Sequence, residues 1–179
     1  DTETSTVGNP VVIDVLDNDG DTNASSTVTM TSAPSNGTVT IQPNGEITYT
    51  PTPGFSGQDT FEYTVCNPNL TGSEACTTET VTVTVLPEPV LDVKTANYNA
   101  PSTFTVSDFT NNDLGNIEDS TFAIVTPIDV GTLTLVNDVL TFTPPTGYTG
   151  VAEFTYEICD THGSCVETVA YLAVPPAAI

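Results

Sequence analysis

The sequence predicts an all-β protein built from two tandem copies of one Greek-key β-sandwich module. The first observation is an internal repeat, because residues 47–66 recur as residues 140–159 at a constant offset of 93 positions. The second is composition: 35 of the 179 residues are threonine and none is tryptophan, and β-branched side chains fit a pleated strand better than a helix. The third is a strict alternation of apolar and polar residues in 60–66 and 77–86, which indicates strands with one buried face.

In the first module, turns rich in proline, asparagine, aspartate and glycine separate short runs with strand character. Asn44-Gly45 lies between two such runs and predicts a tight hairpin, because this dipeptide tolerates the positive φ of such turns. Phe55, in the loop that follows, is expected to cover one end of the core. The predicted strands include residues 11–16, 27–32, 37–41, 46–50, 60–66 and 77–86.

The second module repeats this order after a short linker. Pro87-Glu88-Pro89 favours an extended, stiff connection because two of its three residues are proline, and the predicted domains are therefore 1–88 and 89–179. Seven short strands in each module, the first of them the weakest, predict sandwiches of the immunoglobulin or cadherin kind. In the second module the predicted strands include residues 103–108, 121–126, 131–136, 139–143, 152–159 and 166–174.

The chain is strongly acidic. Its 23 acidic residues outnumber a single basic one, Lys94, for a formal net charge of −22, and the acids divide 12 to 11 between the two modules. Nucleic acids and anionic membranes require lysine and arginine from a partner, so neither is expected to bind this chain. Like charges also destabilise a compact fold unless cations lie among them. Dedicated Ca²⁺ sites and a surface suited to salty water are two compatible interpretations.

The four cysteines predict two disulfides. In the first module the buried strand positions are odd-numbered, so Cys66 and Cys76 both fall on the outward face, and in the second they are even-numbered, so Cys159 and Cys165 do the same. Same-face cysteines across a hairpin can reach the separation that a disulfide needs. The pairs Cys66–Cys76 and Cys159–Cys165 are preferred over four free thiols, and they indicate an oxidising compartment. Zinc is disfavoured because the two spacings differ and the chain has one histidine.

An acidic loop in the first module predicts a Ca²⁺ site. Asp17, Asp19 and Asp21 alternate just after a strand, and Ca²⁺ takes about six to eight such oxygen ligands. An EF-hand is excluded, because the twelfth position of the loop is Val28 and no flanking helix is predicted. Further ligands must come from elsewhere in the chain, and Asp59 is the best candidate. The alternative is that the Asp-Asn-Asp-Gly segment is a turn with solvated charges.

The second module carries a weaker version of this loop. The positions aligned with the three aspartates are Asn111, Asp113 and Gly115, and Ala152 replaces the remote Asp59. A Ca²⁺ site here needs replacement ligands, for which the nearby candidates are Asn116, Glu118 and Asp119.

The one histidine, His162, lies between Asp160 and Ser164 in the predicted tip of the second cysteine hairpin. Such a trio suggests a catalytic triad, but a triad needs a rigid pocket and an oxyanion hole, not three neighbours on a turn. The first module has no counterpart, so a solvated histidine is preferred and no enzyme is predicted. Paired carboxylates for glycoside hydrolysis stay open as an alternative.

The first module carries five motifs in succession. They are Val-Leu-Asp-Asn-Asp at 15–19, Asn-Gly-Thr-Val at 36–39, Ile-Thr-Tyr-Thr-Pro at 47–51, Gly-Phe-Ser-Gly-Gln-Asp-Thr-Phe-Glu-Tyr at 54–63 and Val-Thr-Val-Thr-Val at 81–85. Together they resemble the tandem cadherin-like, Ig-like repeats of very large bacterial cell-surface adhesins. The second module resembles these repeats more weakly, because residues 90–118 fit poorly. The cysteine hairpin is similar to versions found in adhesins of gliding and related Gram-negative bacteria.

This resemblance implies a fibre of many modules at the bacterial cell surface, with Ca²⁺ stiffening loops or junctions and Asp17, Asp19, Asp21 and Asp59 as the positions to examine. The expected function is a non-catalytic extender that holds a distal adhesive region away from the cell, with neighbouring repeats as partners. The alternative is a module that binds a glycan or a surface receptor. The sequence shows neither a signal-peptide pattern nor an apolar stretch long enough to span a membrane, as expected of a piece of a longer exported polypeptide.

Overall fold

A computed structural model describes residues 1–17, 26–70 and 75–177 of the chain. The chain divides into two compact units, Asp1–Leu86 and Pro87–Ile179, and each has its own hydrophobic core. Nearly all of the regular structure is β, which confirms the predicted fold class. Among the described residues, no helix is long and apolar enough to cross a membrane.

The first unit is a sandwich of a four-stranded and a three-stranded sheet. Its strands are β1 (Thr2–Thr6), β2 (Val11–Ile13), β3 (Thr27–Ser32), β4 (Gly37–Ile41), β5 (Ile47–Pro51), β6 (Gly57–Cys66) and β7 (Cys76–Leu86). The larger sheet has the order β1-β7-β6-β3 and the smaller one the order β2-β5-β4. Strand β1 runs parallel to β7, whereas all other neighbours are antiparallel.

The second unit has the same topology. Its strands are β8 (Asp92–Thr95), β9 (Ser102–Thr105), β10 (Ile117–Thr126), β11 (Thr132–Val136), β12 (Val139–Thr143), β13 (Gly150–Asp160) and β14 (Cys165–Val174). The sheets have the orders β8-β14-β13-β10 and β9-β12-β11, with β8 parallel to β14. The internal repeat of the sequence is therefore a repeat of strand order.

The alternating pattern places the cores where the sequence predicts them. In β6, Phe61, Tyr63 and Val65 are buried while the intervening side chains face outward. The equivalent positions of β13 are likewise buried, including Phe154 and Tyr156. The hairpins β6–β7 and β13–β14 supply 6 of the 12 and 7 of the 13 buried core residues of their units, and burial of one large apolar side chain stabilises a fold by about 1.5–3 kcal/mol.

The sequence pattern does not predict β1 and β8. In Thr2–Thr6 the buried side chain belongs to Ser5, and in Asp92–Thr95 it belongs to Asp92, so neither segment carries an apolar face. Backbone pairing with β7 and β14 holds them in place instead. Pairing between distant segments leaves no local signal in the sequence.

A short helix, α1 (Ser107–Thr110), replaces the end of the strand predicted over residues 103–108. The Asp108 carboxylate accepts hydrogen bonds from the backbone N–H and the hydroxyl of Thr105, at 2.7 and 2.9 Å. These bonds lower the pKa of Asp108, and the bond from the Thr105 N–H is one half of the capping-box pattern that Thr-x-x-Asp favours at the start of a helix. The helix brings Phe109 into the core against the rings of Phe154 and Tyr156.

Both predicted disulfides are present. Cys66–Cys76 and Cys159–Cys165 join residues directly opposite each other in the two hairpins, with Cα atoms 4.0 Å apart in each. The next pair of each hairpin forms the backbone hydrogen bond, from the N–H of Asn67 to a carbonyl in the first unit and from that of Asp160 in the second. The cysteines therefore occupy non-hydrogen-bonded positions, where opposite side chains come closest.

The segment that follows Pro87 is bound to the second unit. The backbones of Glu88 and Leu114 exchange two hydrogen bonds of 2.9 Å. The N–H of Val90 donates to Asp113 Oδ1 at 2.7 Å, and the Asn112 amide donates to the Val90 carbonyl at 3.3 Å. Four hydrogen bonds thus join residues 88–90 to the loop that follows α1.

We expect removal of one disulfide to destabilise one unit only. The double substitution Cys66→Ala/Cys76→Ala should lower the free energy of unfolding of the first unit by about 2–3 kcal/mol, because it frees a short closed loop in the unfolded chain. Chemical denaturation followed by circular dichroism measures this change. Cys159→Ala/Cys165→Ala is the matched control for the second unit, and a shift of both transitions by either variant would contradict the independence of the two cores.

Candidate functional site

Four carboxylates of the first unit line one open cavity of about 410 Å³. Asp1 and Glu3 come from the start of β1, Asp14 and Asp17 follow β2, and Thr2 completes the lining. The structure therefore brings Asp17 together with three acids that the sequence does not nominate. Asp19 and Asp21, the other predicted loop ligands, lie outside the described residues.

A buried tyrosine positions one of these carboxylates. The hydroxyl of Tyr63 donates to Asp1 Oδ2 at 2.9 Å and lies 3.2 Å from the carbonyl oxygen of Val15. Asp14 Oδ1 accepts a hydrogen bond from the N–H of Leu16 at 3.2 Å. The rim of the cavity is thus attached to the core of the unit through Tyr63.

The second unit repeats this arrangement with different charges. The hydroxyl of Tyr156 donates to Asp92 Oδ2 at 2.9 Å and lies 3.2 Å from the carbonyl oxygen of Phe109. Asp92 is 2% exposed, and its Oδ1 forms a salt bridge of 3.1 Å with Nζ of Lys94. The same ammonium lies 5.5 Å from the centre of the Phe109 ring, within the range of a cation–π contact.

Lys94 occupies the place that Glu3 has in the first unit. Glu3 pairs with Val83 in β7, and Lys94 pairs with Leu172 at the equivalent place in β14. Lys94 is the single lysine of the chain, and the chain has no arginine. The second unit therefore neutralises its carboxylate with an ammonium of its own, whereas the first unit has a further carboxylate at that position.

The structure places Asp59, the remote ligand predicted for the Ca²⁺ loop, in a hydrogen-bond network of its own. Asp59 is 4% exposed and accepts hydrogen bonds from the N–H groups of Ser35 and Asn36, from the hydroxyl of Tyr49 and from its neighbour Thr60, at 2.8 to 3.0 Å. Residues 35 and 36 lie in the loop between β3 and β4, whereas Asp17 follows β2. Because successive strands of a sandwich reverse direction, these two loops lie at opposite ends of the unit. Asp59 therefore holds the loop between β3 and β4 to strand β6. The pKa of Tyr49 is raised, mainly because its hydroxyl is buried and also because it donates a hydrogen bond to Asp59.

The second unit closes the equivalent loop in another way. Phe142 and Ala152 stand where the first unit has Tyr49 and Asp59. Asp129, in the loop between β10 and β11, accepts a hydrogen bond from the N–H of Glu153 on β13 at 2.9 Å. The carboxylate thus comes from the loop and the N–H from the strand, the reverse of the first unit. Loss of Asp59 in the repeat is therefore the exchange of one loop attachment for another.

The acidic ligands predicted for the second unit, namely the aligned Asp113 and the replacements Glu118 and Asp119, are spread over different contacts. Asp113 binds the N–H of Val90, Asp119 accepts hydrogen bonds from the hydroxyls of Ser107 and Thr110, and Glu118 pairs with Cys159. Among the residues that the structure describes, the one group of three potential ligands within 4.8 Å is Glu157, Cys159 and Cys165. The carboxylates that line the cavity of the first unit do not form such a group among the described residues, so a cation bound there would have to draw these carboxylates closer together.

The trio around His162 forms a turn. Asp160 Oδ1 accepts hydrogen bonds from the backbone N–H groups of His162 and Ser164 at 2.8 and 2.9 Å. The aspartate contacts the backbone of its neighbours, and Nδ1 of the imidazole lies 3.3 Å from the Thr161 hydroxyl. This geometry is that of a hairpin tip whose backbone N–H groups converge on one carboxylate oxygen.

The sequence profile of the family described as "Bacterial Ig domain" matches residues 1–84 and again residues 87–172. The chain belongs to this family. Each compact unit is accordingly one bacterial Ig domain. The carboxylate-lined cavity of the first domain and the Asp92–Lys94 pair of the second are two versions of the same place in that domain. A search of curated proteins finds no significant match to the chain.

Solved structures with similar chain paths include an endo-fucoidan hydrolase, a titin fragment and a protocadherin fragment. An endo-fucoidan hydrolase, MfFcnA4 of glycoside hydrolase family 107, is 14% identical, with 98% of this chain and 27% of that chain covered and a TM-score of 0.37. The titin fragment I67–I69 is 10% identical (97% and 62% covered, TM-score 0.34), and human protocadherin-24 EC1-2 is 12% identical (88% and 85%, TM-score 0.32). The chain spans about a third or less of the fucoidan hydrolases it matches, and TM-scores this low carry no argument about activity.

We expect Asp59 and Tyr49 of the first domain to be energetically coupled. Asp59→Ala removes the carboxylate that accepts hydrogen bonds from three backbone N–H groups and from the Tyr49 hydroxyl, which should cost about 3 kcal/mol of unfolding free energy. Adding Tyr49→Phe removes one of the stranded donors and reproduces the Phe142/Ala152 pair. The double variant should therefore cost less than the sum of the two single variants by about 1 kcal/mol. Strict additivity in chemical denaturation would contradict this account.

We also expect the stability of the second domain to depend on Asp113. Burial is the main cause that raises the pKa of Asp113 to about 6. The hydrogen bond from Val90 acts in the opposite direction, and the negative charge of Asp92 adds to the increase. A raised carboxyl pKa means that the folded state binds the proton more tightly than the unfolded state between about pH 4 and pH 6. Stability from this group is therefore present at low pH and is lost as the pH rises through 6.

The isostere Asp113→Asn keeps the acceptor for Val90 but cannot ionise. The melting temperature of the variant relative to the parent should increase as the pH rises from 4 to 7, because only the parent bears the buried charge. Asp138→Asn, at an exposed turn in the same domain, is the control. A difference between parent and Asp113→Asn that is constant over this pH range would refute the assignment.

Proposed function

We propose that the two bacterial Ig domains are non-catalytic extender repeats of a large bacterial cell-surface adhesin, of the kind found in gliding and related Gram-negative bacteria. The observation that carries this proposal is that two domains with the same strand order each have their own hydrophobic core and their own hairpin disulfide. Domains that fold independently can be repeated along a chain to add length. Neighbouring repeats are then the principal partners.

The disulfides support an extracellular address. Both pairs lie at exposed hairpin ends, where they are accessible to oxidants, and disulfides persist mainly in oxidising compartments. The net charge of −22 also favours solubility and repels anionic surfaces. We propose the bacterial cell surface as the location.

Soluble two-domain protein distinguishes an extender from an adhesive module. An extender should give no saturable signal on glycan arrays and should not compete with adhesion of cells that carry the parent protein. Dose-dependent competition, or reproducible binding to one glycan class, would transfer the adhesive role to these domains and end the extender proposal.

We further propose that Ca²⁺ binds the first domain at the cavity lined by Asp1, Glu3, Asp14 and Asp17, together with the predicted ligands Asp19 and Asp21. Carboxylate oxygens are the ligands that Ca²⁺ prefers. The equivalent carboxylate of the second domain, Asp92, already holds a cation in the form of the Lys94 ammonium. We therefore expect the first domain to need an added cation where the second domain supplies its own.

A reciprocal exchange of charge tests the Ca²⁺ proposal. In the parent chain, Ca²⁺ at a hundred times its dissociation constant should stabilise the first domain by about 2.7 kcal/mol, because it binds only the folded state, and a chelator should remove this gain. Glu3→Lys places an ammonium in the cavity and should make the first domain insensitive to Ca²⁺. Lys94→Glu should make the second domain depend on Ca²⁺.

Calorimetric scans of parent and variants, with millimolar CaCl₂ or with chelator, measure these shifts. Glu79→Lys, an exposed substitution elsewhere in the first domain, controls for the change in net charge. Equal Ca²⁺ responses of the parent and Glu3→Lys would place the binding elsewhere and leave the loop as a solvated turn.

A further inference from the structure

The outward face of the second hairpin carries an unusual group of side chains. Cys159 and Cys165 lie opposite each other on this face, and a carboxylate oxygen of Glu157 lies within 4.8 Å of both sulfurs. Glu167 is directly opposite Glu157 in the register of the two strands. Cys165 is exposed, and Cys159 and Glu157 are partly so, so the group is open to solvent.

Two glutamates directly across a strand pair are unfavourable, because like charges at this separation repel. The first domain avoids the problem, since the equivalent positions are Thr64 and Thr78, whose hydroxyls are hydrogen-bonded at 2.7 Å. Beside equivalent cysteine pairs, the first domain thus has two neutral hydroxyls and the second domain has two carboxylates. An excess of negative charge next to two sulfurs favours a cation at this face of the second domain.

We infer that the reduced second domain binds Zn²⁺ or a similar thiophilic divalent metal through Cys159, Cys165 and Glu157, with Glu167 as the fourth ligand. Zn²⁺ forms tetrahedral sites with thiolate sulfur and carboxylate oxygen at about 2.3 and 2.0–2.2 Å, so neighbouring ligand atoms lie about 3–4 Å apart. Donors that already lie within 4.8 Å of one another need only small side-chain movements. The inference goes beyond the extender role and does not depend on it.

The site exists only in the dithiol state. In the disulfide the sulfurs are bonded to each other and neither is a thiolate, so the oxidised domain lacks two of the four ligands. When a phosphine reductant and water cleave the bond, the phosphine becomes its oxide and the sulfurs leave as two thiols. Zn²⁺ then displaces the two thiol protons to solvent, with no change in the oxidation state of sulfur or metal. The metal would hold these cysteines together before the disulfide forms.

The sequence argument against zinc rested on the different spacings of the two cysteine pairs and on the single histidine. A site in one domain does not need equal spacings, and the two carboxylates beside one cysteine pair take the place of histidine ligands. The first domain is therefore a control within the same molecule: it offers an identical pair of opposite cysteines without the glutamates.

Titration of phosphine-reduced protein with Cd²⁺ tests the inference, because Cd²⁺–thiolate bonds absorb in the ultraviolet. We expect one high-affinity equivalent per chain, displaced by Zn²⁺ and absent from the oxidised protein. Glu157→Thr/Glu167→Thr, which copies the first domain, should weaken binding at least tenfold. Cys66→Ser/Cys76→Ser should retain the site, and Glu153→Gln, which removes a charge farther along β13, should leave the affinity unchanged.

A second measurement stays informative even if reduction partly unfolds a domain, because it compares the two cysteine pairs in the same sample. Zn²⁺ should slow alkylation of Cys159 and Cys165 at least tenfold more than that of Cys66 and Cys76 in the same sample, as read by peptide mass spectrometry, with circular dichroism to follow the fold. Two equal equivalents, equal protection of both pairs, or full affinity in the double threonine variant would each overturn the inference, since any of them would show chelation by cysteine pairs without the glutamates.

Discussion

The structure depends on one constraint: its buried carboxylates must be stabilised in a chain that has almost no basic residues. The chain has one lysine for 23 acids, so a carboxylate that the fold buries must find hydrogen-bond donors among backbone amides and tyrosine hydroxyls. Asp59 and Asp92 illustrate the two solutions. Asp59 takes four donors from a loop, a tyrosine and its own strand, whereas Asp92 combines a tyrosine hydroxyl with the single ammonium of the chain. Leaving any such oxygen without a partner would cost more than the bond itself contributes.

The two domains show how a repeated fold tolerates change at such places. The pair Tyr49 and Asp59 in the first domain corresponds to Phe142 and Ala152 in the second, so the donor and the acceptor are absent together. A different carboxylate, Asp129, restores the attachment between loop and strand with the donor and acceptor roles reversed. The exchange of Glu3 for Lys94 is a second change of this kind, because only the second domain carries an ammonium beside the aspartate that its core tyrosine binds.

Much of the fold follows from local pattern. The alternation in β6, β7, β13 and β14 fixes which face is buried, and the same parity places all four cysteines outward, because successive side chains of a strand point to opposite faces. The Thr-x-x-Asp signal of Thr105 and Asp108 was also readable as a helix start, although the alternation of Phe104 and Val106 favours a strand. The candidate site was less accessible to this kind of reasoning. Asp1 and Glu3 lie on a strand with no apolar face, and they reach Asp14 and Asp17 only through the parallel pairing of β1 with β7.

The sequence by itself determined the class of the protein, its duplication and the pairing of its cysteines, since each depends on periodicity and on neighbours along one hairpin. Only the tertiary structure decided which acids share a cavity and which are already occupied by donors. Asp59 is adjacent in sequence to exposed residues and yet is buried against a loop 23 positions away, and Lys94 acquires its meaning only beside Asp92 and Phe109. Electrostatic partners are chosen by distance in space, and the chain order carries no record of that distance until the sheets have formed.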